Sequence, residues 1–241
     1  MSSSLSARER IDSLLDESSF VEIGAKVKAR STDFCLKQTE TPSDGVITGY
    51  GLVEGRPVYV YSQDASVLNG SVGEMHAKKI VNLYQLAQKT GSPVIGMLDS
   101  SGIRLQESTD ALNALGEIYK QQVRASGVIP QVCAIFGACG GGMSILSSLA
   151  DFTFMEKENG RLFVNEPDTL QDNYKEKCDT AQAAFQSEKT GNVAVVCSKE
   201  EIFAEIRELV SFLPSNFEEE DADRECQDDL NRLTENMSAE L

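Results

Sequence analysis

The segment that decides the fold reads IFGACGGGMSI over residues 135–145. An apolar run from residue 132 leads into this segment and a helical pattern follows from Met143, so a strand passes through a glycine cluster directly into a helix. Such a junction directs unpaired backbone N–H groups to one place, and glycines let a ligand approach the chain closely. The segment indicates a site for an oxyanion or a phosphate, with a tight, closely packed turn as the structural alternative.

The glycine cluster matches neither of the common nucleotide motifs. Gly137 and Gly142 fit the glycines of the phosphate-binding loop G-x-x-x-x-G-K-[ST], but Met143 replaces its lysine. The G-x-G-x-x-G spacing of a dinucleotide site is also missing. A Ser/His/Asp hydrolase would require His76, the only histidine, and no G-x-S-x-G motif is present. We expect His76 on a helix surface and main-chain groups as the catalytic donors.

A second polar loop follows the preceding apolar run. Residues 93–99 show the pattern of a buried strand, and the polar stretch DSSGIRLQE covers 99–107. Ligands bind at the carboxyl ends of parallel strands in α/β sheets, where such loops meet. Two loops of this kind can each offer an amide to one carbonyl oxygen, which would form an oxyanion hole. Each donor of an oxyanion hole commonly contributes about 3 kcal/mol of transition-state stabilisation.

The rest of the chain predicts an α/β protein with parallel strands and crossover helices. Helices are expected at 6–16 with Ser6 as N-cap, and at 73–90, 110–125, 143–150 and 198–213, the last with a capping box of Ser198 and Glu201. Strands are expected at 45–52, 57–62, 93–99, 132–136, 152–155, 162–164 and 193–197. We expect one compact domain over residues 1–216 and an acidic tail over 217–241.

Charge and composition exclude several classes of function. The formal net charge is -16, which disfavours binding to nucleic acid or to an anionic membrane. The tail holds ten acidic residues against two arginines, a net of -8, and ends in a weak helical pattern that is either solvated or docked on a partner. The six cysteines form no C-x-x-C pair, so we expect free thiols and no bound metal. Because no signal peptide or membrane span is recognisable, a cytoplasmic protein is expected.

Taken together, these segments resemble the N-terminal domain of biotin-dependent acyl-CoA carboxyltransferases of the propionyl-CoA carboxylase beta type. The matching segments are ARERI at 7–11, SSFVE at 18–22, DGVITGYG at 44–51, SQD at 62–64, NGSVGE at 69–74, KKI at 78–80, DSSGIRLQE at 99–107, ASGVIP at 125–130, GACGGG at 137–142 and FLPSN at 212–216. The resemblance covers nearly the whole chain. It implies the crotonase fold, a spiral of ββα units, with an N-type domain that binds the CoA thioester.

The resemblance also implies an enzyme that works with other proteins. A separately encoded C-domain carboxyltransferase subunit would present carboxybiotin, and the biotin itself would be carried on a biotin carboxyl carrier protein. The expected assembly is a hetero-oligomer with homo-oligomeric symmetry. In this interpretation the chain stabilises the enolate of an acyl-CoA while a carboxyl group moves to or from biotin.

The family resemblance assigns site residues. The amides near Gly102 and Ile103, and those near Gly140 and Gly141, would hold the thioester oxygen. Candidate substrate-binding residues are Ser62, Gly70, Ser71, Gly73 and Arg104, together with Lys26, Lys28, Arg30, Lys78 and Lys79 as phosphate partners. The chain departs from the family at Ser101, where Gly is common, and at Ile103, where Ala is common, which would narrow the acyl pocket. Ser144 replaces the glutamate of crotonase hydratases, so hydration is not expected.

Two other functions compete with this interpretation. The beta subunit of biotin-independent malonate decarboxylase, which acts on a carrier-protein thioester, has similar sequence at 103–107, 142–145 and 160–162, and at Asn165 and Pro167. A structural or regulatory subunit that has lost turnover is the third possibility. The retention of glycines in both loops favours a working site over this last interpretation.

Overall fold

The computed structural model describes residues 5–30, 40–166, 179–216, 218–219, 229 and 231. The helices are α1 (Ala7–Leu14), α2 (Glu74–Thr90), α3 (Ser108–Ala125), α4 (Gly142–Ser148), α5 (Ala183–Glu188) and α6 (Ile202–Phe212). The strands are β1 (Val21–Ile23), β2 (Val46–Val53), β3 (Arg56–Gln63), β4 (Val94–Ser100), β5 (Gln131–Gly140), β6 (Phe152–Glu156), β7 (Arg161–Phe163) and β8 (Val195–Cys197). The chain is therefore an α/β protein, as predicted.

The eight strands found among the described residues belong to one sheet. Its order is β1-β2-β3-β4-β5-β6-β8, and β7 pairs with the far end of β5. The first three strands are antiparallel, whereas every later pairing is parallel. Helices α2, α3 and α6 connect or follow the parallel strands, which requires long crossovers. The carboxyl ends of β4 and β5 consequently lie side by side.

The sheet is covered on both faces. One apolar cluster packs residues of α2, α3 and α4, such as Leu83, Ile118 and Met143, on one face. The other cluster packs α1 and α6, through residues such as Ile11 and Ile206, on the opposite face. Strands buried on both faces read as continuous apolar runs, which is why the sequence pattern located β4 and β5 correctly.

Local sequence signals explain the helix ends. Ser6 caps α1 through a reciprocal capping box with Glu9, and the apolar side chains of Ile11 and Leu14 on this helix are buried. Gly91 ends α2 in the left-handed conformation at φ 71°. Ser198 and Glu201 form the predicted reciprocal bonds, at 3.3 and 3.2 Å, one turn before α6 proper. These elements were accessible to sequence reasoning because their determinants lie within four residues of each other.

Boundaries differ from the prediction at several elements, and strand β1 and helix α5 were not predicted. Strand β5 continues to Gly140, because β7 pairs with Ala138–Gly140 and supplies hydrogen bonds that the sequence does not reveal. Helix α4 ends at Ser148, two residues earlier than expected. The expected helix at the end of the tail lies outside the described residues. The division into a domain over 1–216 and a tail stays a prediction.

Three cysteines fall among the described residues, and Cys133, Cys139 and Cys197 are all free thiols. Within the same part of the chain, no group of three or more His, Cys, Asp or Glu side chains is arranged to hold a metal ion. None of the described helices has the length and apolar character needed to cross a bilayer.

Candidate functional site

The two glycine loops meet at the carboxyl ends of β4 and β5. Ser100 pairs with Cys139 after an irregularity in the ladder that follows Leu98. Beyond this pair, the Cα of Gly102 faces the carbonyl oxygen of Gly140, so that a Cβ at residue 102 would lie 3.4 Å from it. The structure thus brings together the two loops that the sequence places after neighbouring strands.

Of the two amides that the resemblance assigns in the first loop, those of Gly102 and Ile103, one is available for a ligand. The N–H of Gly102 donates to Ser100 Oγ at 3.2 Å. Val72 accepts from Arg104 N–H at 2.9 Å and donates to Gly102 O at 2.8 Å, so the N–H of Ile103, between them, is directed away from Val72. Among the described residues, the Ile103 amide has no hydrogen-bond acceptor. The better donor of this loop is therefore Ile103, not Gly102.

In the second loop, the amide without an acceptor lies one residue after the predicted pair, Gly140 and Gly141. Gly140 is a ladder residue opposite Phe163, and Gly141 N–H donates to Phe163 O at 3.0 Å. Gly142 is the first residue of α4, and its amide finds no acceptor in the described part of the chain. The candidate donor is therefore Gly142, which the sequence interpretation did not include among its site residues. Its position as the first residue of a helix was the available signal.

The space in front of the second loop is open. Gly141 has φ 58° and ψ -126°, a conformation that side-chain-bearing residues rarely adopt. No atom lies within 4 Å of the position that a Cβ at residue 141 would take. At Gly140, in contrast, the Phe163 ring fills that position at 2.7 Å. A ligand can therefore approach the main chain at Gly141 but not at Gly140.

Residues of the loop after β3 pack directly against the first glycine loop. Ser101 N–H donates to Asn69 O at 3.0 Å, and a Cβ on Gly70 would overlap the carbonyl of Asp99. Gly70, Ser71 and Gly73 are all buried. These predicted substrate-binding residues can shape the site through their backbone, since they present little side-chain surface.

Arg104, another predicted substrate-binding residue, is only 3% exposed. Its guanidinium lies 2.6 Å from Asp44 Oδ1 and 2.8 Å from Glu107 Oε1, and donates to Ser71 O at 2.8 Å. Burial raises the pKa of Asp44, while Arg104 and the His76 amide act in the opposite direction. We refer to Arg104, Asp44, Glu107 and Ser71 as the Arg104 network.

His76 is fully buried, so the expectation of a helix-surface residue was wrong. Gln63 Oε1 accepts from Asp99 N–H, which leaves Gln63 Nε2 to donate to His76 Nε2 at 3.2 Å. His76 Nδ1 therefore carries the proton and donates to Asp44 O at 2.9 Å. Burial lowers the pKa of His76 to about 3, so the ring stays neutral.

The other predicted contacts divide into exposed and buried groups. The side chain of Lys28 is 62% exposed and pairs with Glu40. The side chain of Arg30 is 50% exposed and pairs with both Glu74 and Asp110. The side chain of Lys78 is 59% exposed and also pairs with Glu74. Lys79 is instead buried against Ser43, with its amine 2.6 Å from the hydroxyl. Ser62 is buried in β3, and its hydroxyl has no partner among the described residues.

A cavity of about 250 Å³ lies between α2 and α3, next to the exposed cations Arg30 and Lys78. Its lining residues are Glu74, Lys78, Val81, Asp110, Asn113, Ala114 and Glu117. Arg30 joins the two helices at its edge through Glu74 and Asp110. The cavity is separate from the glycine loops, although α2 and α3 each follow one of the loops that form the site.

The sequence interpretation missed a buried ion pair that lies at the start of both glycine loops. Arg10 lies 2.6 Å from Asp99 Oδ2 and donates to Gln63 O at 3.2 Å. The Arg10 guanidinium also lies 5.0 Å from the centre of the Phe136 ring. The segment 7–11 was part of the family resemblance, but nothing in its local pattern indicates a partner 89 residues away.

Comparison with known proteins identifies related sequences. Residues 2–240 match the family model described as the carboxyl transferase domain. Methylmalonyl-CoA decarboxylase subunit alpha of Propionigenium modestum is 42% identical over 234 residues, which are 95% of this chain and 45% of the relative. The propionyl-CoA carboxylase beta chain of Roseobacter denitrificans is 41% identical over 233 residues, 95% of this chain and 46% of the relative. The chain thus spans about half the length of these curated relatives.

Two solved structures are similar to the chain as a whole. Transcarboxylase 12S, solved with methylmalonyl-coenzyme A and methylmalonic acid bound, superposes with a TM-score of 0.84 at 37% identity, over 88% of this chain and 42% of that one. A malonate decarboxylase hetero-tetramer from Pseudomonas, solved with malonate, gives a TM-score of 0.76 at 25% identity, over 87% of this chain and 83% of that one. The expected crotonase-type carboxyltransferase fold is confirmed.

Proposed function

This chain belongs to the carboxyl transferase domain family, and we propose that it binds an acyl thioester and stabilises the enolate of that thioester during carboxyl transfer. The observation that carries the proposal is the meeting of two glycine loops with the amides of Ile103 and Gly142 left without acceptors among the described residues. Both amides are neutral main-chain donors, and Gly141, the residue before Gly142, borders open space.

The chemistry follows from where negative charge develops. When the α-carbon of a thioester loses a proton, or loses CO2 from a carboxylate that it carries, the electron pair left behind delocalises onto the thioester oxygen. An oxygen placed between the two loops would accept from Ile103 N–H on one side and Gly142 N–H on the other. Preorganised donors of this kind stabilise the developing charge by about 3 kcal/mol each. The loop 69–73 fixes the first donor, since hydrogen bonds join it to residues 101–104.

The rest of the reaction belongs to other domains in this proposal. The curated relatives are about twice as long as the matched region, and in this proposal a second carboxyltransferase domain completes the site. Biotin on a carrier protein supplies or accepts the carboxyl group when it is bound. The open space within 4 Å of a Cβ position at Gly141 leaves room for the thioester to reach the main chain. Whether the protein is cytoplasmic stays a prediction.

The exposed cations near α2 are the proposed phosphate partners of CoA. Arg30 and Lys78 both contact Glu74, while Lys28 contacts Glu40. Exposed ion pairs contribute only about 0–1 kcal/mol, so a phosphate can exchange with a carboxylate at low cost. Lys79 does not fit this role, because its amine is buried against Ser43.

Ligand-dependent stabilisation tests the proposal. The protein, in the complex with which it copurifies, would be melted with acetyl-, propionyl-, malonyl- and methylmalonyl-CoA, with ATP and NAD as controls. We expect a higher Tm with CoA thioesters only, since a ligand that binds the native state stabilises it. Equal shifts with ATP would indicate a general nucleotide site and contradict the proposal.

Malonate decarboxylase remains the second candidate, supported by the overlap of 87% of this chain with 83% of the Pseudomonas subunit. The two functions differ in the carrier of the thioester. Turnover of a malonyl thioester on a carrier protein, together with no Tm shift from any CoA ester, would favour the decarboxylase. Turnover of acyl-CoA that requires biotin would favour the carboxyltransferase.

A further inference from the structure

The Arg104 side chain lies next to a candidate catalytic amide but does not face the ligand. It is adjacent in sequence to Ile103, and its guanidinium is buried among Asp44, Glu107 and Ser71. Its Nε also lies 3.4 Å from Ser71 Oγ. Because the side chain is only 3% exposed and its donors are directed at these protein acceptors, a direct contact with substrate phosphate does not fit this geometry.

The two carboxylates of the network each hold a second group. Asp44 Oδ2 accepts from His76 N–H at 2.7 Å, and Glu107 Oε2 accepts from Glu74 N–H at 2.6 Å. Both amides belong to the first turn of α2, whose own N-cap residue, Gly73, supplies no side-chain acceptor. The carboxylates therefore cap α2 and neutralise the guanidinium at the same time.

Gly73 is required by this arrangement. A Cβ at residue 73 would overlap Arg104 Nη1 and Glu107 Oε1. The absence of a side chain lets the guanidinium and the carboxylate pass directly over the start of α2. The sequence interpretation assigned Gly73 to substrate binding, whereas its contacts are with the Arg104 network.

The network also fixes the peptide that carries the Ile103 amide. Val72 donates to Gly102 O at 2.8 Å and accepts from Arg104 N–H at 2.9 Å, so both neighbours of Ile103 are bound to one residue. The guanidinium of Arg104 then binds the carbonyl of Ser71, the residue before Val72, at 2.8 Å. The backbone and the side chain of Arg104 thus join the loop 69–73 to the first glycine loop, on the side opposite to the free Ile103 amide.

We propose that Arg104 is a positioning residue: its buried guanidinium holds the Ile103 amide in line with the thioester oxygen and makes no contact with the substrate. The inference rests on the proposed function, because it assigns that amide to the oxyanion hole. A planar guanidinium binds several fixed acceptors at once, which an ammonium group cannot reproduce. A displacement of about 1 Å in a catalytic group commonly costs about a hundredfold in rate.

Stability alone does not account for the network. Buried ion pairs contribute little net stability, because desolvation offsets the attraction between the charges. One guanidinium and two carboxylates, all at most 6% exposed, form an arrangement that well-packed apolar residues could replace. The geometry that it imposes on residues 101–104 is the property that such a replacement would lose.

The test compares Arg104→Lys with wild type in the complete enzyme. We expect kcat to fall about tenfold or more while KM and Kd for the acyl-CoA stay within about twofold. Infrared spectra of a ¹³C-labelled thioester carbonyl provide the second readout. The wild-type site is expected to lower the C=O stretching frequency, and Arg104→Lys to abolish part of that shift, because the Ile103 donor is displaced.

Arg207→Lys is the matched control, since Arg207 forms a half-buried pair with Asp16 between α1 and α6, away from the site. It should leave kcat and the carbonyl frequency unchanged. If Arg104→Lys does not fold, Glu107→Gln weakens the same network with nearly the same shape and should act in the same direction.

An increase in KM with unchanged kcat and carbonyl frequency would overturn the inference and identify Arg104 as a substrate ligand. Wild-type enzyme that binds acyl-CoA without any carbonyl shift would contradict the oxyanion hole itself. Wild-type enzyme that binds no acyl-CoA would contradict the proposed function. The three failures are therefore distinguishable.

Discussion

The carboxylate of Asp99 occupies the space that a side chain at residue 137 would need. A Cβ on Gly137 would overlap Asp99 Oδ1, and Asp99 is in turn bound to the buried guanidinium of Arg10 at 2.6 Å. This contact joins the carboxyl end of β4 to the start of the glycine cluster in β5. The glycine at 137 is therefore required for packing beside the site, and its role differs from that of the glycines that border the open space.

Gly137→Ala is expected to destabilise the protein by about 2–4 kcal/mol, because the methyl group displaces Asp99 from a buried ion pair. The measurement is the free energy of unfolding from urea denaturation. Gly116→Ala in α3 serves as the control, since no atom lies within 4 Å of a Cβ at that position. The control should be neutral or stabilising by up to about 1 kcal/mol. Equal effects of the two changes would contradict this interpretation of Gly137.

His76 predicts a loss of stability in mild acid. Burial lowers its pKa from the ordinary 6.5 to about 3 in the folded protein, so between these limits the unfolded chain binds a proton that the folded chain does not. The corresponding stability is present above pH 6.5 and is lost as the pH falls toward 3, with a slope of up to about 1.4 kcal/mol per pH unit.

Unfolding free energies measured from pH 7 to pH 5 check this dependence. In His76→Gln, which keeps polar groups near Gln63 and Asp44, the slope should decrease by about one proton equivalent. The window above pH 5 limits the contribution of Asp44, whose raised pKa acts with the opposite sign at lower pH. Identical slopes for wild type and variant would show that His76 already ionises in the folded state.

Ile103→Ala is expected to widen the range of acyl groups that the enzyme accepts. The Ile103 side chain is partly buried against the core at the candidate site, and its amide is retained in the variant. One or two methylene groups in an apolar pocket change selectivity by about tenfold or more. The ratio of kcat/KM for a longer acyl-CoA to that for acetyl-CoA should therefore rise. Val123→Ala, on the exposed surface of α3, should leave the ratio unchanged.

Arg30→Ala and Lys78→Ala are expected to weaken CoA binding by about threefold each, because each removes one exposed phosphate partner. The dissociation constant for CoA, measured by calorimetry at low and high salt, provides the check. The difference from wild type should shrink at high salt, where exposed charges are screened. Lys120→Ala removes a similar exposed cation, paired with Glu117, and should have no effect. Comparable losses in all three variants would indicate a general charge effect only.

Sequence reasoning succeeded where the determinants are local or periodic. The N-cap at Ser6, the capping box of Ser198 and Glu201 and the apolar runs of β4 and β5 all depend on near neighbours in the chain. It failed at His76, whose helical position looked exposed. The partners that bury His76, Gln63 and Asp44, lie 13 and 32 residues away and leave no periodic trace.

By itself, the sequence determined the α/β class, the family and the two loops that meet. Apolar periodicity and glycine clusters are contained in short stretches of the chain, so they can be recognised without the tertiary structure. Only the tertiary structure decided which amide in each loop remains available. Ser100 and Phe163 bind the amides of Gly102 and Gly141, which leaves Ile103 and Gly142 as the donors. Hydrogen bonds between segments that are distant in the chain satisfy some backbone amides and leave others without an acceptor. Which amides are satisfied depends on how the strands and loops pair in the folded protein.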